Sequence, residues 1–173
     1  MDLVAAAPSD EAFLLDLLNT TPVIDGIVHD GLADFAAART WMRDHDLADT
    51  KAELVALVEA RAALQRVVRG DAGPKVLKRF VDDVRLRPVV GGEGLDWRLD
   101  VGGATGAARA VLAWDALRIS SPGRLRPCAN SECRLFLIDR SKPNTARWCS
   151  MAICGNRMKA RRHYRRARTG GEL

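Results

Sequence analysis

Apolar positions recur at helical spacing over most of the first 120 residues. In "SDEAFLLDLLNT" Phe13, Leu14, Leu17 and Leu18 fall on one face behind Ser9, a capping-type residue, which predicts a first helix. "GLADFAAARTWMRDH" repeats the stripe with Leu32, Phe35 and Met42. "TKAELVALVEARAALQRVVRG" is the clearest helix: Thr50 and Glu53 form a T-x-x-E capping box, Leu54, Leu57, Val58 and Leu64 supply the apolar face, and Gly70 ends it. Gly73-Pro74 opens a short helix with proline at its first position.

The period then changes. Leu95, Trp97, Leu99 and Val101 alternate with Asp96, Arg98 and Asp100 after the Gly-rich "GGEG", so "RLRPVVGGEGLDWRLDVGG" predicts a β-hairpin with half-buried strands. "ATGAARAVLAWDALRIS" returns to helix, and Ser121-Pro122-Gly123 marks a boundary. Two domains are expected, residues 1–120 and 121–173. No repeat or low-complexity tract interrupts them.

Charge sharpens that division. Residues 1–117 hold 13 Lys and Arg against 19 Asp and Glu, whereas residues 118–173 hold 14 against 3, so a net charge of +5 conceals an acidic body and a basic tail. Such asymmetry suits a polyanion at one end, nucleic acid before membrane, because the tail lacks the apolar face of an interfacial helix. No run of eighteen apolar residues occurs, and "MDLVAAAPSDEAF" carries acids where a signal peptide has basic residues. A soluble cytoplasmic protein is expected.

All four cysteines, Cys128, Cys133, Cys149 and Cys154, lie in the basic tail. They read as two C-x4-C pairs with fifteen residues between. Packing thiols would be scattered through the helices as well, and a disulfide framework is foreign to the cytosol. Paired cysteines flanking a hairpin are how small domains hold a structural Zn2+, and four thiolates leave no open position for catalysis. Between the pairs, Leu135 to Ile138 predicts a strand, residues 141–144 a turn, and residues 146–148 a return strand. Ser150 can cap a final helix running to about Arg168. The overall expectation is α+β and mainly α: a helical domain with one β-hairpin, then a small treble-clef-like zinc finger ending in a basic helix.

The stretch "CSMAICGNR", with "RPCANSEC" and "LFLIDRSKPNTARWC" upstream, resembles the CGNR zinc finger family from Pro127 to about Arg168. "FLLDLLNT" resembles the opening of the ABATE domain, found ahead of this finger in bacterial proteins labelled stress-induced transcription regulators. The resemblance implies a zinc-bound finger that binds nucleic acid, double-stranded DNA first, on a helical domain; that acidic domain is expected to sense a small-molecule effector, to form a homodimer, or both.

On a helix turning 100° per residue, Arg157, Arg161, Arg165 and Arg168 fall within about 80°, with Lys159, Arg162 and Arg166 beside them. These seven are the candidate phosphate contacts. Ala152, Ile153, Ala160, His163, Tyr164 and Ala167 occupy the remaining arc, which is expected to pack on the finger. Gly155 is expected at a close approach. Asn156 could donate to a cysteine sulfur or read an adenine edge, and the sulfur is favoured. Two other function classes stay open: a protein-interaction zinc module, and an enzyme seated in the body. For the enzyme, Asp25, His29, Asp30 and His45 offer groups without a recognised catalytic spacing. Asn19 and Thr20, which close the first helix, are ordinary helix-end residues.

Overall fold

The computed structural model describes residues 8–101 and 105–169. Helix α1 (Pro8–Leu18) places Asp10 and Glu11 in its first turn, where carboxylates favour the helix dipole, and buries Phe13, Leu14, Leu17 and Leu18. The Ser9 side chain lies outside the described residues. Helix α2 (Phe35–Asp44) is capped by Asp34, which accepts from the Ala37 N–H.

Helix α3 (Lys51–Arg69) starts at Thr50, whose hydroxyl accepts from the Glu53 N–H, and stops at Gly70 with φ of 84°. Only half of the expected capping box forms. The buried Glu53 carboxylate turns away from Thr50 and accepts the Gly106 N–H at 2.7 Å, in the first turn of helix α4 (Thr105–Ser120). The two helices approach so closely there that a Cβ on Gly106 would lie 2.8 Å from Leu57 Cδ2. Ala107, Ala110 and Ala113 continue that close-packed face. Between α3 and α4, Pro74–Phe80 forms a 3-10 helix.

α1, α3 and α4 enclose the main core, with α2 laid against α3. Among the described residues, three two-stranded antiparallel hairpins decorate it. The first, β1 (Val23–Ile24) and β2 (Ile27–Val28), turns on Asp25 and Gly26, both with positive φ, 50° and 81°. This two-residue Asp-Gly turn matches the right-handed twist of the strands, a signal passed over in the sequence.

The second pairs β3 (Arg85–Val90) with β4 (Leu95–Asp100), where a hairpin was expected. Its strands are not half-buried as the alternation predicts. Leu86, Val90, Leu95, Trp97 and Leu99 are all exposed, because no layer of the described chain covers their face.

The third pairs β5 (Leu125–Pro127) with β6 (Phe136–Ile138). A return strand at residues 146–148 is therefore a wrong expectation: β6 takes its partner from the segment leading into Cys128. Residues 146–147 spend their bonds elsewhere, the Ala146 N–H on Asp139 Oδ2 and the Arg147 carbonyl on the Ala129 N–H. A π-turn (Met151–Gly155) under the Ser150 cap leads into helix α5 (Asn156–Thr169). The fold is α+β and mainly helical, with a cysteine-bearing finger after Ser120. No helix among the described residues is long and apolar enough to cross a membrane.

Candidate metal centre and basic face

Each cysteine is delivered by a different piece of local structure. Cys128 follows β5, and its N–H pairs with the Leu135 carbonyl. Cys133 closes a turn from Asn130 and directs its sulfur toward the Leu135 N–H at 3.4 Å. Cys149 precedes the Ser150 cap, and Cys154 lies buried in the π-turn. The four sulfurs lie within 4.8 Å of one another and none is in a disulfide.

Cys149 Sγ stands 3.7 Å from the sulfurs of both Cys133 and Cys154. A tetrahedral ion bonded to sulfur at about 2.3 Å needs sulfurs about 3.8 Å apart. The cysteines therefore fit one metal ion. Sulfur acceptors are further served by the Cys149 N–H to Cys128 Sγ and by Asn130 Nδ2 to Cys154 Sγ, both at 3.5 Å.

Without a cation Cys133 and Cys149 resist ionisation. Burial pushes the Cys133 thiol up to about 11, and burial with the crowding of neighbouring sulfurs pushes Cys149 higher still. Burial works against the Cys154 thiolate too, but bonds from Asn130 and the other thiols outweigh it and hold that group below its ordinary value. Four thiolates can share this space only around a metal, whose binding displaces their protons.

The sulfur donor expected at Asn156 is a correction. Its Nδ2 donates to the Ala152 carbonyl at 3.4 Å on the exposed side of the helix, while the buried Asn130 supplies the contact to sulfur. Gly155 does lie at a close approach, since a Cβ there would come within 2.7 Å of Met151 Sδ.

Asp139 was missed in the sequence, although Asp-x-Ser is a turn-forming pattern. It is 1 % exposed, and its carboxylate accepts from the Ser141 N–H and hydroxyl, the Ala146 N–H and Arg126. The Ser141 hydroxyl chiefly, with the two backbone N–H groups and Arg126, holds it below the usual carboxylate range against burial. One buried carboxylate thus folds the loop that carries Arg147, Trp148 and Cys149.

The basic helix differs from expectation on its apolar side. Ala152, Ile153, Ala160 and Tyr164, expected to be covered by the finger, are exposed. Of the seven candidate cations, Arg157, Lys159, Arg161 and Arg162 are exposed. The side chains of Arg165, Arg166 and Arg168, and that of His163, lie outside the described residues. Arg161 donates to both oxygens of Glu132, at 2.7 and 2.6 Å. No other described cation of α5 pairs with a carboxylate. Lys159 and Arg162 line a groove with Arg147, Trp148 and Met158.

The finger is keyed to the body through Asn19. Its Oδ1 accepts the Phe136 N–H at 2.7 Å and its Nδ2 donates to the Phe136 carbonyl at 3.2 Å, so one amide side chain extends the β5–β6 ladder. Phe136 enters the main core, and the Arg69 guanidinium lies 4.4 Å above its ring while donating to the Arg134 carbonyl. A cavity of about 390 Å³ opens beside this joint, lined by Leu15 and Ile24 of the body, by Leu135, Ile153 and Arg157 of the finger, and by Cys133, Cys149 and Cys154 of the metal centre.

The groups weighed for an enzyme have separate local tasks. Asp25 makes a turn, and Asp30 accepts a two-pronged bond from the buried Arg61 at 2.6 and 2.7 Å. His45 lies against Trp41 and Phe13, and His29 is exposed.

A model of the CGNR zinc finger matches residues 124–167. A model described as "Putative stress-induced transcription regulator", the ABATE domain, matches residues 11–121. No curated protein matches the chain.

Proposed function

Since this chain belongs to the ABATE family, described as putative stress-induced transcription regulators, and carries a CGNR zinc finger after that domain, we propose that it regulates transcription by binding double-stranded DNA through the finger. In this reading Cys128, Cys133, Cys149 and Cys154 hold a structural Zn2+. The metal supplies folding energy to a segment too small to form its own core and takes no part in chemistry. Helix α5 offers Arg157, Lys159, Arg161, Arg162, Arg165, Arg166 and Arg168 to phosphates.

The observation that carries this reading is the electrostatic state of α5: among its described cations only Arg161 is neutralised by an acid. Cations left unpaired on an exposed helix favour a polyanion partner. Lys159 and Arg162, beside Trp148 and Arg147, form the strongest part of that face. The body serves as the sensing or dimerising half, and the cavity at its joint with the finger would let an effector bear on both.

Duplex DNA titrated with the full zinc-loaded chain at several salt concentrations tests the proposal. Each phosphate neutralised adds roughly 0.9 to the logarithmic salt slope, so five contacts give about −4.5. Lys159→Ala with Arg162→Ala should reduce that slope by about 2 with zinc content unchanged. A slope near zero, or one indifferent to both substitutions, overturns it in favour of a protein-interaction module.

A further inference from the structure

The β3–β4 hairpin has two unlike faces. Leu86 with Leu99, Pro88 with Trp97, and Val90 with Leu95 share one; Arg85 with Asp100, Arg87 with Arg98, and Val89 with Asp96 share the other. Among the described residues no third strand joins it. Its apolar side is uncovered, with Trp97 53 %, Leu95 63 % and Val90 84 % exposed. A lone two-stranded ribbon is marginal in water and gains stability from further strands.

The two edges are not equivalent. The Gly91 N–H donates to the Gly94 carbonyl at 2.7 Å, and bonded and non-bonded pairs alternate along an antiparallel ladder. Counted from that closing pair, Pro88 and Trp97 form a pair whose backbone groups point outward. Proline has no N–H to offer, so the β3 edge is blocked at its middle. The β4 edge presents the N–H and C=O groups of Leu95, Trp97 and Leu99 without interruption.

That edge is complementary to itself. It reads Leu95-Asp96-Trp97-Arg98-Leu99, apolar at both ends, with opposite charges either side of one aromatic. We propose that β4 is a dimerisation edge, on which a second copy of this chain pairs antiparallel about a two-fold axis at Trp97, joining two hairpins into a four-stranded sheet. Trp97 then faces the partner's Trp97, and Leu95 the partner's Leu99, through bonded pairs. Asp96 meets the partner's Arg98 in the non-bonded pairs, where cross-strand side chains are closest.

Other registers fail. A shift of one residue sets Trp97 against the partner's Arg98, and a shift of two sets Arg98 against itself. The ion pair within the hairpin joins Arg87 to Asp100 at 3.6 Å and leaves Asp96 and Arg98 available among the described residues. The interface is isologous, so each contact occurs twice. It is independent of nucleic-acid binding.

The test is a charge-swap series on the full metal-loaded chain, with molar mass read by sedimentation over a concentration range. The wild type should be dimeric at concentrations on the order of 10 µM. Asp96→Arg alone and Arg98→Asp alone each set two like-charged pairs across the axis and should raise the dissociation constant at least about tenfold. The double variant should recover the dimer, which a face-to-face packing of the hairpins would not require. In the wild type, amide exchange at Leu95, Trp97 and Leu99 should slow as concentration rises. A monomeric wild type, single variants that dimerise normally, a double variant that fails to recover, or exchange indifferent to concentration would each overturn the proposal.

Discussion

The body and the finger bury different chemistry. In the body, α1, α3 and α4 close over Phe13, Leu14, Leu17, Leu57, Leu64 and Leu117, and the enclosed polar side chains of Glu53, Arg61 and Gln65 all find partners. In the finger the buried residues include Cys128, Asn130, Asp139 and Cys154, while its buried aromatic, Phe136, reaches into the body's core. An apolar core is bought with chain length, which the finger lacks. Sulfur and a buried carboxylate do the same work in fewer residues, and they leave a segment whose charged residues are mostly cationic.

Removing the metal should break this comparison most severely. Structural zinc binding is worth on the order of 10 kcal/mol in comparable small fingers, so chelation or Cys154→Ser should unfold the finger. Circular dichroism should retain most body helix, and thermal melting should show that body less stable because Phe136 has lost its setting. Loss of all helical signal in one transition would show that residues 1–120 do not fold apart from the finger.

Phe136→Ala sharpens the same boundary from the other side. It should cost about 3–5 kcal/mol in chemical denaturation while leaving metal content unchanged, because the cavity opens in the core shared with α1 and α3. Asn19→Ala should cost less, about 1–3 kcal/mol, by leaving the Phe136 N–H and carbonyl without their partner. Asn19→Asp should recover only the acceptor half.

The smallest effect concerns pH and the body alone. Burial against Trp41 and Phe13 holds the His45 imidazole below its ordinary value of 6.5, outweighing the pull of Asp16. A group depressed in this way binds protons more readily in the unfolded chain. Its contribution is complete above 6.5 and declines as pH falls through the lower folded value. Thermal melts of His45→Phe should be flatter than wild type across that acidic window, and equal slopes would remove His45 from the account.

Elements written in local sequence were legible. Thr50 and Gly70 bound α3 as expected, and the paired spacing of the cysteines brought all four together. What escaped depends on residues distant in the chain. β6 pairs upstream with β5 because Cys128 and Leu135 must meet, which no local propensity at residues 146–148 reveals. Asn130 takes the sulfur contact expected of Asn156 because the turn closing at Cys133 buries it beside Cys154, whereas the helix faces Asn156 outward. The alternation in β4 was read as one buried face, and periodicity cannot tell a face covered by its own chain from one left open.

The central claim is that four sulfurs hold one zinc and thereby the basic helix. X-ray absorption at the zinc edge, combined with elemental analysis of the purified chain, tests it most directly. One zinc per chain with a shell of sulfur alone at about 2.3 Å is the predicted result. Absence of zinc, or a shell containing nitrogen or oxygen, would contradict it.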